Sequence, residues 1–113
     1  MKLIKAYIRY RKTAEVYNAL KQAGYCCMTF VECEGTGHYS DQEKDHISEK
    51  YPFAGAYRVI KLEMVVADEH VKPIVEIIRN SGRTGYRGDG IITVSRVEEV
   101  YKVRNDESGI LAI

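Results

Sequence analysis

The chain has 113 residues, 17 Lys and Arg against 16 Asp and Glu, and 45% hydrophobic residues. That length suits one domain with a single modest core, and a net charge of +1 leaves no electrostatic footprint for nucleic acid or an anionic membrane. No apolar run reaches the length of a membrane span, so no direct membrane insertion is expected, and Cys26, Cys27 and Cys33 are too few and odd in number for a disulfide framework, which favours a cytoplasmic location.

Residues 2–10 alternate, with Ile4, Ala6 and Ile8 on one face and Lys5, Tyr7 and Arg9 on the other. This predicts a half-buried strand and not a signal peptide. Residues 13–23 change to helical spacing through Val16, Ala19, Leu20 and Ala23, with Thr13 as the candidate N-cap and Gly24 just past the end. Residues 25–34 are rich in Tyr, Cys, Thr, Phe and Val and predict a second strand.

Residues 36–57 have no usable period. They carry Asp41, Glu43, Asp45 and Glu49 with Lys44 and Lys50, and allow at most a weak helical turn at 45–50. Loops this long are usually functional or disordered. Order returns at Val59–Val66, a strand with Ile60, Leu62, Met64 and Val66 on one face. Asp68 is the expected cap of a second helix striped by Val71, Ile74, Val75, Ile77 and Ile78 and ended by Ser81-Gly82. Pro73 must then lie near its first turn. Residues 91–97 predict a fourth strand, and the tail at 98–104 either extends it or forms a further short strand.

The order is β-α-β, long loop, β-α-β. Right-handed crossovers turn it into an α+β, ferredoxin-like sandwich: one antiparallel sheet with both helices on one face. The open face mixes Lys5, Tyr7, Thr29, Val31, Lys61, Glu63 and Val65. A half-apolar open face is a reason to expect self-association. The fold by itself implies no function.

The segment most suggestive of function is Thr84–Gly90, T-G-Y-R-G-D-G, directly before the fourth strand. Its glycines allow positive φ and close approach of the backbone to a ligand. Successive N–H groups in such a turn can form an anion-binding nest. Gly-Asp-Gly is equally good chemistry for a plain connecting turn.

Motifs in register along nearly the whole chain resemble the PII signal-transduction proteins. They are A-x-I-R at 6–9, A-L-x-x-A-G at 19–24, M-T at 28–29, G-T-G at 35–37, K-L-E-M-V-V-A-D-E at 61–69, R-T-G-x-x-G-D-G at 83–90 and V-E-E-V-x-K-V-R at 97–104. The resemblance implies a single domain over 1–113, with a T-loop at 36–57, a glycine-rich B-loop at 82–90 and a C-terminal loop at 98–113. It implies a non-enzymatic homotrimer that binds an adenine nucleotide in clefts between subunits. Through the T-loop it would regulate a protein partner, such as a membrane transporter or a metabolic enzyme. Carried over residue by residue, the nucleotide-binding set is Met28, Thr29, Gly35, Gly37, His38, Glu63, Val65, Arg83, Gly88, Asp89, Gly90, Lys102 and Arg104.

The chain departs from the family pattern at defined places. Ile91 stands where a basic residue is usual, and Ile92-Thr93-Val94 where an aromatic is usual. His38-Tyr39-Ser40 replaces a basic residue, glutamine and lysine; Lys102 and Arg104 stand for an arginine pair; Val59 stands for a lysine. Each lost charge-assisted phosphate contact is worth about 1.5–3 kcal/mol. The expected effector is therefore ADP, AMP, ATP or a related adenine messenger, with Mg2+ left open, and not Mg-ATP sensed jointly with 2-oxoglutarate. F-A-G-A-Y at 53–57 only faintly echoes the family's modified-tyrosine motif, so modification of Tyr57 is not expected.

Other readings carry less. Cys26, Cys27, Cys33 and His38 suggest a metal-responsive trimer of the same fold, but adjacent strand residues point to opposite faces. Buried structural thiols are expected instead, with no metal site. A nucleotide-free interaction scaffold is a further alternative. A phosphotransferase would need a nucleophile or base beside the phosphates. An RNA-binding module would need an aromatic third strand, which residues 59–66 lack.

Overall fold

The structure is a computed structural model and describes residues 1–37 and 57–113. The elements are β1 (Lys2–Arg9), α1 (Thr13–Gln22), β2 (Thr29–Gly35), β3 (Tyr57–Val66), α2 (Val71–Gly82) and β4 (Ile91–Arg96). Short 3-10 turns at Tyr10–Lys12 and Asp68–His70 lead into the two helices, and another closes the chain at Gly109–Ala112. The sheet order is β2-β3-β1-β4. All three neighbouring pairs are antiparallel. This is the ferredoxin-like arrangement expected from the sequence. The weak turn at 45–50 and most of the 36–57 loop lie outside the described residues.

The core follows from alternation on the strands and i, i+4 spacing on the helices. Ile4, Ala6 and Ile8 of β1 and Ile60, Leu62, Met64 and Val66 of β3 are buried beneath Val16 and Leu20 of α1 and Ile74 and Ile78 of α2. Burying such a side chain stabilises the fold by about 1.5–3 kcal/mol. Gly82, at the end of α2, sits where a Cβ would come within 3.4 Å of Val16 Cγ2. A methyl group there would meet Val16 at ordinary contact distance, so α1 and the end of α2 lie side by side. On the other face, Thr29, Glu63, Lys5 and Thr93 lie in one row across the sheet, and Val31, Lys61, Tyr7 and Ile91 in the next.

The α1 terminus is built as its glycine suggested. Gly24 has φ +94°. Its N–H bonds to the Lys21 carbonyl and the Tyr25 N–H to the Leu20 carbonyl, each at 3.0 Å. These are the two hydrogen bonds of a Schellman motif. The start differs from expectation. Thr13 is the first residue of α1, not its cap, and its hydroxyl donates 2.6 Å back to the Tyr10 carbonyl.

Asp68 does not cap α2 either. Its carboxylate takes the chain's amino terminus at 2.9 Å and Lys2 Nζ at 3.0 Å, while His70 occupies the cap position. Two cations outcompete backbone amides for one exposed carboxylate. Pro73 falls in the first turn, as required.

Two further corrections concern the cysteines and the tail. The second strand begins at Thr29, so Cys26 and Cys27 lie ahead of it and strand alternation does not apply to them. Both are exposed and Cys33 is half-buried, so they are not core thiols in this chain. The tail neither extends β4 nor forms a strand. It folds into a small hairpin with a single bridge, Tyr101 to Ser108, closed by Gly109 N–H to Val100 O at 2.8 Å and Lys102 N–H to Glu107 O at 2.9 Å.

Candidate functional site

The loop from Arg83 to Gly90 is organised around one carboxylate. Asp89 Oδ2 accepts from the backbone amides of Thr84 and Gly85, each at 2.9 Å. Asp89 Oδ1 accepts from the Thr84 hydroxyl and, at 2.8 Å, from Arg9 Nε. A second Arg9 nitrogen donates 2.7 Å to the Arg87 carbonyl. The Tyr86 amide turns back to the Thr84 hydroxyl oxygen at 3.1 Å. The first part of the predicted anion nest is thus filled by the chain's own Asp89. Burial pushes the Asp89 carboxyl up, but hydrogen bonds from Thr84, Arg9 and the two amides outweigh it and hold the group far below the usual carboxylate range.

The glycines of this loop are required by its shape. Gly85, Gly88 and Gly90 have φ of +89°, +97° and +95°. Gly90 is the most constrained, because a Cβ there would stand 1.7 Å from the Tyr7 carbonyl oxygen. The close approach made possible by this glycine is therefore to β1, where it fixes the loop on the sheet.

Beside the loop lies a cleft of about 360 Å3. Ile8, Val75 and Ile78 form part of its floor, and Arg79, Arg83, Asp89 and Gly90 line it together with Ile91. With Asp89 paired to Arg9 and Arg79 paired to Glu76 at 3.4 Å, Arg83 adds a further guanidinium to the lining, a group suited to an anion.

The thirteen sequence-predicted site residues separate into groups. Arg83, Gly88, Asp89 and Gly90 stand at the β4 edge. Met28, Thr29, Glu63 and Val65 stand on or beside the β2–β3 pair, with Thr29 opposite Glu63. Gly35 ends β2 opposite Tyr57, and Gly37 follows it. Lys102 and Arg104 sit in the tail hairpin, the first half-buried and the second exposed. His38 lies outside the described residues. From β2 to β4 is three strand spacings, about 14 Å. One chain does not gather these groups into one pocket.

Sequence reasoning passed over Arg9, Thr84, Tyr7 and Arg79 as site residues. Arg9 and Thr84 do lie inside motifs already noted, A-x-I-R and R-T-G. Their roles are visible only when β1 is paired with β4, since Arg9 meets Asp89 across 80 positions of sequence. Among the described residues, no group of three or more His, Cys, Asp or Glu is placed to hold a metal ion. Among the same residues, no helix is long and apolar enough to cross a membrane.

Comparison with known proteins places the chain in a family. The family model "Nitrogen regulatory protein P-II" matches residues 1–107. The chain is similar to the nitrogen regulatory protein P-II of Rhizobium meliloti (strain 1021), with 39% identity over the full length of both chains. It is 42% identical to the nitrogen regulatory protein P-II 2 of Methanothermobacter thermautotrophicus, covering 100% of this chain and 97% of that one. It is 34% identical to the nitrogen fixation nifHD region GlnB-like protein 1 of Methanobacterium ivanovii, covering 97% of this chain and 100% of that one.

Proposed function

The chain belongs to the nitrogen regulatory protein P-II family, a family of signalling regulators and not of enzymes, and from that premise we propose that it is a homotrimer sensing an adenine nucleotide in clefts between subunits. The observation that carries this reading is the separation of the candidate residues onto opposite edges of one sheet. The Asp89-organised loop of one subunit supplies the phosphate end. The Thr29–Glu63 edge of the next supplies the base and ribose end. Neither edge encloses a ligand alone.

In this reading Gly88, Asp89 and Gly90 present backbone amides to phosphate, with Arg83, Lys102 and Arg104 adding charge. Met28, Thr29, Glu63 and Val65 line the adenine and ribose. Gly35 and Gly37 bring the base of the 36–57 loop to the same phosphates, with His38 beside them. The loop then docks on a protein partner, a transporter or a metabolic enzyme, in a nucleotide-dependent way. Association also accounts for apolar side chains that a lone chain leaves in water. Among them are Tyr101, Val103, Leu111 and Ile113 of the tail and Val31 of the open face.

The reading is tested by calorimetric titration with AMP, ADP, ATP and cyclic AMP, each with and without Mg2+. Saturable micromolar binding of one of them, lost in Arg104→Ala and in Gly88→Trp, supports it. Light scattering should give three times the chain mass. No binding of any nucleotide by a properly folded trimer would sink the sensor reading in favour of a nucleotide-free scaffold.

A further inference from the structure

The connection between α1 and β2 holds chemistry that the nucleotide reading does not use. Cys26 and Cys27 are both exposed, and their sulfurs lie 3.1 Å apart. The connection is anchored on each side of them. Before them, the Tyr25 amide is bonded to Leu20, its ring packs on the core, and its hydroxyl lies 3.2 Å from His70 Nδ1. After them, Thr29 is locked into the β2–β3 ladder opposite Glu63. Residues 25–28 belong to neither helix nor strand. No helix or strand hydrogen-bond ladder therefore fixes the peptide joining the two cysteines.

The third thiol does not compete. Cys33 lies four residues beyond Thr29 along an extended strand, about 13 Å away. The two thiols also interact electrostatically. The hydrogen bond and charge of Cys26, with burial, raise the Cys27 thiol above its ordinary value, and Lys102 offsets this only in part. The pair therefore reacts through the fraction present as thiolate and owes its selectivity to the proximity of the two sulfurs.

We propose that Cys26 and Cys27 are a redox modification site, a vicinal dithiol that a small-molecule disulfide converts reversibly into an intrachain disulfide. One thiolate of the pair attacks a disulfide such as oxidised glutathione. Its S–S bond breaks, a mixed disulfide forms, and one glutathione thiolate leaves. The second cysteine, as thiolate, attacks the protein sulfur of the mixed disulfide, releases the second glutathione and closes the Cys26–Cys27 bond. Two electrons pass from the pair to glutathione disulfide, and the two thiol protons end on the two released thiols.

Neighbouring Cα atoms are about 3.8 Å apart, closer than the roughly 4.4–6.8 Å that an ordinary disulfide spans. The ring is strained, and strained exposed disulfides are the easily reduced, regulatory kind. Closing it resets the backbone immediately before Met28 and Thr29 and beside Lys102. On the nucleotide reading proposed above, oxidation then weakens nucleotide binding.

The test equilibrates the whole protein with glutathione at graded ratios, quenches it with acid and maps alkylated cysteines by mass. Cys26 and Cys27 should lose alkylation together, within one chain, and regain it with dithiothreitol, while Cys33 stays alkylated. Cys27→Ser should instead accumulate glutathione on Cys26. A pair that stays alkylated in fully oxidised glutathione, or ends in separate mixed or interchain disulfides, overturns the proposal. Titrating ADP into the two redox forms should show affinity roughly fivefold or more weaker in the oxidised form, the lower end of ordinary coupling between sites. Equal affinities overturn the coupling. Absence of binding in both forms overturns the proposed ligand, whereas the alkylation map alone decides the disulfide.

Discussion

Arg9 at the end of β1 and Asp89 at the end of the glycine loop are 80 positions apart in sequence and 2.8 Å apart in space. Their side chains are 23% and 24% exposed, so water screens this pair less than a surface pair. Arg9 also holds the Arg87 carbonyl, and Asp89 holds Thr84 and Gly85. The pair therefore sets the shape of the loop as well as its attachment to the sheet. Asp89→Asn and Arg9→Ala should each lower stability by about 1–3 kcal/mol. In a double-mutant cycle followed by urea denaturation, the double variant should lose less than the two single losses added. Strict additivity would mean that the two side chains do not support each other.

Acid stability should report the same carboxylate. Its folded form ionises far more readily than an unfolded aspartate, whose pKa is about 3.9. The unfolded chain then binds more protons in acid, so stability rises with pH through this range. The contribution of Asp89 is fully present above about pH 5 and is lost as pH falls below about 4. Asp68 behaves in the same direction, because hydrogen bonds from the amino terminus and Lys2 lower it. Denaturation midpoints measured from neutral pH into acid should fall steeply for the wild type. They should fall less steeply for Asp89→Asn, which is already weakened at neutral pH. An acid limb unchanged by that substitution would count against the ionised Asp89 described above.

Three glycines should respond differently to a single methyl group. Gly90→Ala cannot be accommodated without moving Tyr7 or the loop, since the clash is with backbone. It should cost several kcal/mol, or about 3 or more on the scale of overpacking and strained backbone combined. At Gly24 nothing lies within 4 Å but φ is positive, so Gly24→Ala should cost only the left-handed penalty, about 1–2 kcal/mol. Gly82→Ala meets Val16 at ordinary contact distance and gains helix propensity. It should change stability by less than about 1 kcal/mol in either direction. Thermal midpoints of the three variants should rank in that order, and a mild Gly90→Ala would refute the close approach to Tyr7.

The parts of this structure that could be read from sequence are those governed by period. Ile4, Ala6 and Ile8 and then Ile60, Leu62, Met64 and Val66 alternate because one face of each strand is buried, and each of them is in the core. Gly24 signalled a helix terminus because only a positive-φ residue completes that motif cheaply. What stayed hidden depended on partners distant in sequence. Asp68 has the look of a helix cap until the amino terminus and Lys2 arrive beside it. The loop-organising role of the Asp89 carboxylate shows only when Arg9 and Thr84 close on it. Cys26 and Cys27 read as strand residues by composition. The Schellman turn and the tethered Tyr25 instead delay the strand to Thr29.

Ile91 offers a test of why this cleft differs from the family pattern. It is 63% exposed, lines the cleft and immediately follows Gly90. An apolar side chain in that place contributes nothing to a phosphate and keeps its own surface in water. Ile91→Arg should fold normally, because the position faces solvent and pairs only through backbone with Tyr7. On the proposed nucleotide reading it should tighten binding of ATP more than AMP, since the added guanidinium reaches the phosphate end. One charge-assisted contact of about 1.5–3 kcal/mol corresponds to at least tenfold in affinity. The gain should shrink with added salt, as expected for a partly exposed charge. Calorimetry on both proteins at two salt concentrations decides it. Equal gains for ATP and AMP would place the new charge away from the terminal phosphates. A gain for neither would move the phosphate end away from Gly90.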